Sequence, residues 1–135
     1  MLEPIVILNS VVANGVGNSI FVKDFDTIVI SVATSGLVSG KTFYLKGKCS
    51  IEENSPTFSA AKSITNIYDY VGLIKFPDGT PIDGESGDLF ASDADDVRMY
   101  QVNVDGINWF TLDVSELPDD SITVLGKLVG YNNKK

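Results

Sequence analysis

The sequence lacks most of the side chains on which enzyme chemistry depends: it has no histidine, one cysteine (Cys49) and one arginine (Arg98) in 135 residues. Without histidine, neither a Ser-His-Asp nor a Cys-His catalytic arrangement can form, and no histidine is available to bind a metal. A lone cysteine excludes an intrachain disulfide, a cysteine-based zinc site and an iron–sulfur cluster. We therefore expect a protein without catalytic residues, cofactor or metal site, and not an enzyme.

Positive charge is also scarce, with nine dispersed lysines and one arginine against 18 acidic residues and a net charge of -8. Phosphate binding needs clustered basic residues, so nucleic acid is not an expected partner. An anionic membrane surface would repel the chain. Residues 4–22 are uncharged, but Asn14, Gly15 and Gly17 interrupt them, so we expect no membrane span. The first residues have no positive region typical of a signal peptide, and synthesis in the cytoplasm is expected.

Short apolar runs between turn residues dominate the chain. Val and Ile number 27 against 16 for Ala and Leu, which favours strands over helices. The pattern predicts one all-β domain over residues 1–131, followed by a polar tail at 132–135. The expected fold is an antiparallel β-sandwich of jelly-roll type, with a β-barrel as the alternative. The segment Ser59–Ile64 is the best helical candidate, and the predicted strands are Pro4–Leu8, Asn18–Val22, Thr27–Ala33, Lys41–Cys49, Tyr70–Phe76, Val97–Val104, Ile107–Asp113 and Ser121–Val129.

The dipeptide Asp105-Gly106 predicts a two-residue type I′ turn that joins two strands in a hairpin. Near the turn, one face of this hairpin would be apolar and the other polar. Farther from it, Met99, Phe110 and Leu112 would make the second face apolar as well. We expect these three residues to be assembly contacts, covered by another segment or by a neighbouring subunit. The uncharged N-terminal segment could similarly add a strand to a neighbour's sheet.

Acidic residues concentrate in one long region, Asp83–Asp96, with no base among them. Such a run is usually a solvated loop. The cluster at 93–96 offers oxygen ligands for calcium, but its spacing does not match an EF-hand, so the solvated loop is favoured. Arg98 follows directly, and we expect it to form a structural ion pair with a loop carboxylate.

Cys49 and a set of four aromatic residues each have both a structural and a functional interpretation. Cys49 is expected to be a small buried side chain rather than a reactive thiolate. Trp109, Tyr68, Tyr70 and Tyr100 could stack on sugar rings. For Trp109 and Tyr100 a place in the core is favoured, whereas Tyr68 and Tyr70 could form a surface pair or a strand entry.

Three parts of the chain resemble small structural proteins of tailed bacteriophage virions. The likeness covers roughly residues 24 to 112 and consists of strand and turn patterns, at 24–34, at 58–63 with 68–71, and at 95–109. The resemblance implies a β-sandwich protein present in many copies on a head, neck or tail, and it brings no catalytic or binding residues.

The combined prediction is a non-enzymatic virion component, a capsid-decoration or head/tail assembly protein. Its expected partners are copies of itself, in a homo-oligomer, and other virion proteins. The alternative is a carbohydrate-binding or receptor-adhesion module, with or without calcium. The two differ in where the aromatic side chains lie, since sugar binding needs them in an exposed row.

Overall fold

Alternating apolar residues and frequent turns produce an all-β structure. The computed structural model describes residues 4–37, 40–91, 97–118 and 122–133, and these residues contain no helix. The segment Ser59–Ile64, predicted to be helical, consists of turns and an isolated bridge. The strands are β1 (Ile5–Val11), β2 (Gly15–Val16), β3 (Ile20–Phe21), β4 (Phe25–Ser35), β5 (Phe43–Ser50), β6 (Asp69–Val71), β7 (Leu73–Lys75), β8 (Thr80–Ile82), β9 (Asp88–Phe90), β10 (Val97–Asn103), β11 (Trp109–Ser115) and β12 (Thr123–Asn133).

The strands form two separate antiparallel sheets. Sheet A has the order β1-β12-β4-β10-β7-β8. Sheet B has the order β2-β11-β5-β6, and β3 and β9 add to it by pairing with β11 and β5. Neither sheet closes on itself, so the predicted antiparallel sandwich is confirmed and the alternative of a barrel is wrong.

The core lies between the two sheets and is filled by one face of each strand. Ile28, Ile30 and Val32 alternate along β4 and are fully buried, while Phe110 and Leu112 do the same on β11. Burying one such side chain stabilises the fold by roughly 1.5–3 kcal/mol. Residues from both sheets belong to the same apolar cluster, which holds the sandwich together.

The expected hairpin at Asp105-Gly106 is wrong, although the turn is present. The Ile107 N–H donates to the Val104 carbonyl at 3.0 Å, and of the two central residues only Gly106 has a positive φ, of 82°. A type I′ turn needs positive φ at both, so the geometry is that of a type II turn. The flanking strands do not pair: β10 lies in sheet A and β11 in sheet B. Their apolar faces meet across the core instead.

The predicted strand Tyr70–Phe76 is divided in the same way. It breaks at Gly72 into β6, in sheet B, and β7, in sheet A. The acidic region beyond it contains β9 rather than only loop, and Asp88 on β9 is buried. Asp93, Asp95 and Asp96 lie outside the described residues.

The two ends of the chain pair with each other. β1 is antiparallel to β12 of the same chain, so the N-terminal segment completes its own sheet. The predicted tail at 132–135 begins too early, because Asn132 pairs with Thr27 and Asn133 with Phe25 inside β12. Residues 134 and 135 lie outside the described part of the chain.

Candidate protein interface

The outer face of sheet A combines apolar side chains with very little charge. Side chains alternate along a strand, so the residues between the core positions of β4, β10 and β12 point outward. These residues are half-buried or exposed, in contrast to their core-facing neighbours. The A face is defined as Thr27, Val29, Ser31, Ala33, Ile74, Val97, Met99, Gln101, Asn103, Thr123, Leu125 and Lys127.

Strand register arranges the A face in rows. Val97 lies opposite Ala33, which lies opposite Leu125, and these three form an apolar row across three strands. In a parallel row, Met99 lies opposite Ser31, which lies opposite Lys127. Lys127 is the one charged member of the A face, in a chain of net charge -8. Neighbouring strands lie about 4.8 Å apart, and seven residues extend about 23 Å, so the face covers several hundred Å². Six of its twelve members are apolar and five are uncharged polar residues, and this low charge is typical of the centre of a protein interface.

A pocket opens at one corner of the A face, where β7 ends and β10 begins. The Phe76 N–H donates to the Met99 carbonyl at 3.0 Å, which holds the two chain segments together. Val97 is 54% exposed and Met99 36%. This corner pocket has a volume of about 360 Å³ and is lined by Lys75, Phe76, Pro77, Val97, Arg98 and Met99.

Arg98 anchors the acidic region beneath this pocket. Its guanidinium donates to the Asp88 carboxylate at 3.0 Å and to the Leu89 carbonyl at 2.8 Å, and lies 3.9 Å from the centre of the Phe90 ring. The predicted ion pair of Arg98 is therefore confirmed. The side chains of Arg98 and Asp88 are each only 9% exposed, so the pair is buried. Losing one partner of a buried pair costs about 3–5 kcal/mol.

Two further side chains reach the same carboxylate. The Tyr100 hydroxyl donates a hydrogen bond to Asp88, and burial together with this bond raises the pKa of Tyr100 above its usual value. Tyr100 therefore stays a neutral donor. Lys75 lies 3.8 Å from Asp88. Two cations therefore share one carboxylate between the sheets.

The outer face of sheet B is covered by the chain itself. Residues 51–68, here called the cover loop, fold over β5. The Ser50 hydroxyl donates to the Ile67 carbonyl at 2.6 Å. The Lys48 ammonium donates to the Phe58 carbonyl at 3.0 Å and lies 5.0 Å from the centre of the Tyr68 ring. Lys48 is buried as a result, with only 8% of its side chain exposed.

Asp113 on β11 faces Lys48 at 3.7 Å. Burial raises the pKa of this carboxyl, and the lysine opposes that effect. The outer face of sheet B thus keeps charged groups under its cover, while the A face has almost none.

Of the three predicted assembly contacts, only Met99 lies at the surface. Phe110 and Leu112 are fully buried in the core and cannot contact a partner. The prediction failed because it paired β11 with β10, which placed the core face of β11 outside. Val97, Ile74 and Phe76 are exposed around Met99 and were missed. Val97 and Met99 alternate with the apolar residues Tyr100 and Val102 along the strand, and this alternation could have placed them on the outer face.

The four aromatic residues considered for sugar binding do not form an exposed row. Tyr100 is fully buried, as predicted, and Tyr68, the last residue of the cover loop, is 8% exposed. Trp109, also predicted in the core, is instead half-buried on the outer face of sheet B. It packs edge-on against Phe21, with ring centres 5.0 Å apart. Tyr70 is half-buried on β6.

Burial raises the pKa of the half-buried Cys49 thiol to about 11, with a smaller contribution from Asp69. Such a thiol is a poor nucleophile at neutral pH. In residues 4–37, 40–91, 97–118 and 122–133, no three carboxylate or cysteine side chains are grouped to hold a metal ion. In the same residues, no helix has the length and hydrophobicity to cross a membrane.

The comparisons with known proteins give one likeness of fold. No family model and no curated protein matches the sequence. The crystal structure of the SPBc2 prophage-derived protein YomS is similar, with a TM-score of 0.57 and 13% sequence identity. The likeness covers 95% of this chain and 92% of that one, so it extends over the whole sandwich. A protein derived from a prophage therefore shares this fold.

Proposed function

We propose that this chain is a non-enzymatic structural component of a bacteriophage virion, a capsid-decoration or head/tail assembly protein that binds other virion proteins through the A face. The observation that carries the proposal is the A face itself, a sheet surface with six apolar side chains and one charge. The prophage origin of a protein with the same fold supports the phage part of the proposal.

The chemistry of the rest of the molecule is consistent with binding rather than turnover. The buried charged side chains are used internally: Asp88 binds Arg98 and Tyr100, and Lys48 binds the cover loop. An acidic surface around an uncharged face also suppresses non-specific association and directs binding to that face.

The direct test is to locate the protein. Phage particles are produced from the phage genome that encodes the chain and are purified on a density gradient. They are then analysed by mass spectrometry and immunogold electron microscopy. We expect the chain at a fixed ratio to the other virion proteins and at one position on the particle. Its absence from purified particles would exclude a virion role.

A matched pair of variants tests the A face. Val29→Glu places a charge in the centre of the A face, and Leu89→Glu makes the same kind of change at a residue 43% exposed on the outer face of sheet B. We expect Val29→Glu to lower incorporation into particles tenfold or more, because binding would bury the new carboxylate. Leu89→Glu should incorporate normally. Equal incorporation of both variants would show that the A face is not the contact.

The alternative of carbohydrate binding receives no support from the placement of the aromatic residues. Trp109 is near enough to the surface to report on sugar binding by its fluorescence. A saturable change on titration with polysaccharides would favour that alternative.

A further inference from the structure

Lys127, the one charged member of the A face, does not lie at the edge of its sheet. It is on β12, between β1 and β4, with Val6 opposite it on one side and Ser31 on the other. Its side chain is half-buried on the outer surface of the sheet. A partner that covers β4 and β12 on the A face therefore covers the ammonium of Lys127 as well.

The neighbours of Lys127 on the A face offer no counter-charge. Residues opposite and diagonal to it on an adjacent strand lie within about 8 Å and are the ones its side chain can reach. On β4 these residues are Ser31, Val29 and Ala33, and the preceding outward residue of β12 is Leu125. All four are uncharged.

Other cations of the chain are already paired. A carboxylate lies 2.8–3.8 Å from each of Lys48, Lys62, Lys75 and Arg98. Within the ranges that the structure describes, the ammonium of Lys127 has no carboxylate at ion-pair distance and no hydrogen-bond acceptor. An ammonium that loses its water when a partner covers it needs an anion in return, because an unpaired buried charge is costly.

A second A face cannot supply that anion. The face consists of six apolar residues, five uncharged polar residues and Lys127. Two A faces in contact would bury two ammonium groups and no carboxylate. The occupant of the A face is therefore a different surface, one that carries a negative charge.

We propose that Lys127 pairs with an aspartate or glutamate of another virion protein, on a contact surface that is otherwise apolar or uncharged. The inference rests on the proposed function and names the chemistry of the partner in that contact. The apolar residues of the A face supply contact area, and the ion pair fixes which surface is accepted and in which register.

The charge of the whole chain strengthens this selection. At a net charge of -8, the chain repels an acidic surface at most positions. The A face is an exception, since it has an ammonium and no carboxylate. A partner's carboxylate is thus attracted at Lys127 and repelled elsewhere, and specificity arises from both effects.

A competition experiment tests the ion pair in the assembled particle. Variant and wild-type chains are produced together in cells that carry the phage, so that wild type supports assembly. Mass spectrometry then gives the ratio of the two chains in purified particles and in the soluble lysate. Lys127→Met keeps the length and the apolar stem but removes the charge, so we expect its ratio in particles to fall about tenfold or more below that in the lysate. Lys127→Arg keeps the charge and should remain within about threefold of wild type.

Two controls separate binding from other effects of the substitution. Lys23→Met removes a charge from an exposed lysine outside the A face and should compete equally with wild type. Lys127→Met should unfold at the same urea concentration as wild type, because Lys127 has no ionic partner among the described residues of the chain. Normal entry of Lys127→Met into particles would overturn the proposal and leave the lysine as a residue that keeps the face soluble. Equal exclusion of Lys23→Met, or a loss of stability in Lys127→Met, would overturn it too.

The partner's carboxylate is found by reversing the charge. Lys127→Glu places two carboxylates opposite each other and should be excluded more strongly than Lys127→Met. When Lys127→Glu is the only copy, phage variants that regain it should carry lysine or arginine in place of an aspartate or glutamate in one other virion protein. Restoring changes that never involve an acidic residue would contradict the ion pair.

The outcome is separable from the proposed function. Exclusion of Val29→Glu together with normal entry of Lys127→Met would leave the A face as the contact and remove the ion pair. Absence of the wild-type chain from particles would remove the virion role itself.

Discussion

The outer faces of the two sheets differ in how much charge they carry and in whether the chain covers them. Each sheet gives one face to the common core. The other face of sheet B carries Lys48 and Asp113, which face each other, and the cover loop supplies the Phe58 carbonyl that accepts a hydrogen bond from Lys48. The other face of sheet A carries Val29, Ala33 and Leu125 with one nearby charge, Lys127. The difference teaches that a sheet surface covered by its own chain can hold charge, whereas a surface left apolar is suited to another chain.

Among variants of the two outer faces, the largest expected effect on stability is under the cover loop. Lys48→Ala removes the hydrogen bond to the Phe58 carbonyl and leaves Asp113 without its closest cation. We expect a loss of about 2–3 kcal/mol in the free energy of unfolding, measured by urea denaturation. Lys48→Met, which keeps the aliphatic stem, should lose less. A loss below about 0.5 kcal/mol for Lys48→Ala would mean that the cover does not depend on this lysine.

A smaller loss is expected from loosening the cover loop itself. Asn66→Ala removes the three hydrogen bonds by which the Asn66 side chain joins Thr57 and Ala61 within the loop. Because these bonds are exposed to solvent, we expect about 1–2 kcal/mol, together with faster hydrogen exchange across the loop. Asn66→Asp keeps the acceptor and loses the donors, so its exchange rates should be intermediate. Unchanged exchange in Asn66→Ala would show that the loop is fixed by other contacts.

The A face should tolerate a polar change that the core does not. Val29→Thr alters an outward residue of β4, and Val32→Thr makes the same isosteric change at a fully buried one. Val29→Thr should change stability by no more than about 0.5 kcal/mol, and Val32→Thr should cost about 1–3 kcal/mol. Thermal and chemical denaturation measure both. Equal losses would mean that the A face is already covered within the monomer.

The smallest expected effect is a pH dependence at Asp113. Burial raises the pKa of this carboxyl in the folded protein, so the folded state favours the protonated form. Its contribution to stability is greatest below the pKa that it has in the unfolded chain, about 3.9, and is lost as the pH rises through the folded value. Lys48 and Lys46 face it and oppose part of this rise. Wild type should therefore gain stability relative to Asp113→Asn when the pH falls from 7 to about 4. A change of the opposite sign would mean that the two lysines outweigh burial and lower the pKa of the folded carboxyl.

The sequence predicted the strands well and their partners poorly. Alternating apolar residues at Ile28, Ile30 and Val32 identify β4 because the period of two reflects the strand geometry itself. The turn at Asp105-Gly106 was also predicted, but a turn residue does not say whether the flanking strands pair or separate. That choice depends on which distant strands compete for each edge. Here β4 pairs with β10, and β5 pairs with β11.

The same limit explains the outcome at the candidate site. Met99 was placed on an exposed apolar surface, and it lies there, because alternation with Tyr100 decides its face within β10. Phe110 and Leu112 were placed on the same surface through a pairing that does not exist.

The position of β12 has a consequence for how the chain folds. β12 lies between β1 and β4, so the first strand of the sequence joins sheet A only through one that is synthesised after most of the chain. During translation, β4 and β10 can meet while β1 has no edge to bind. Pairings between such distant segments make folding slow. We therefore expect the nascent chain to keep apolar residues such as Ile7 and Leu8 exposed until residues 123–133 leave the ribosome. Protection from aggregation then depends on when these residues emerge from the ribosome, more than on local strand propensity.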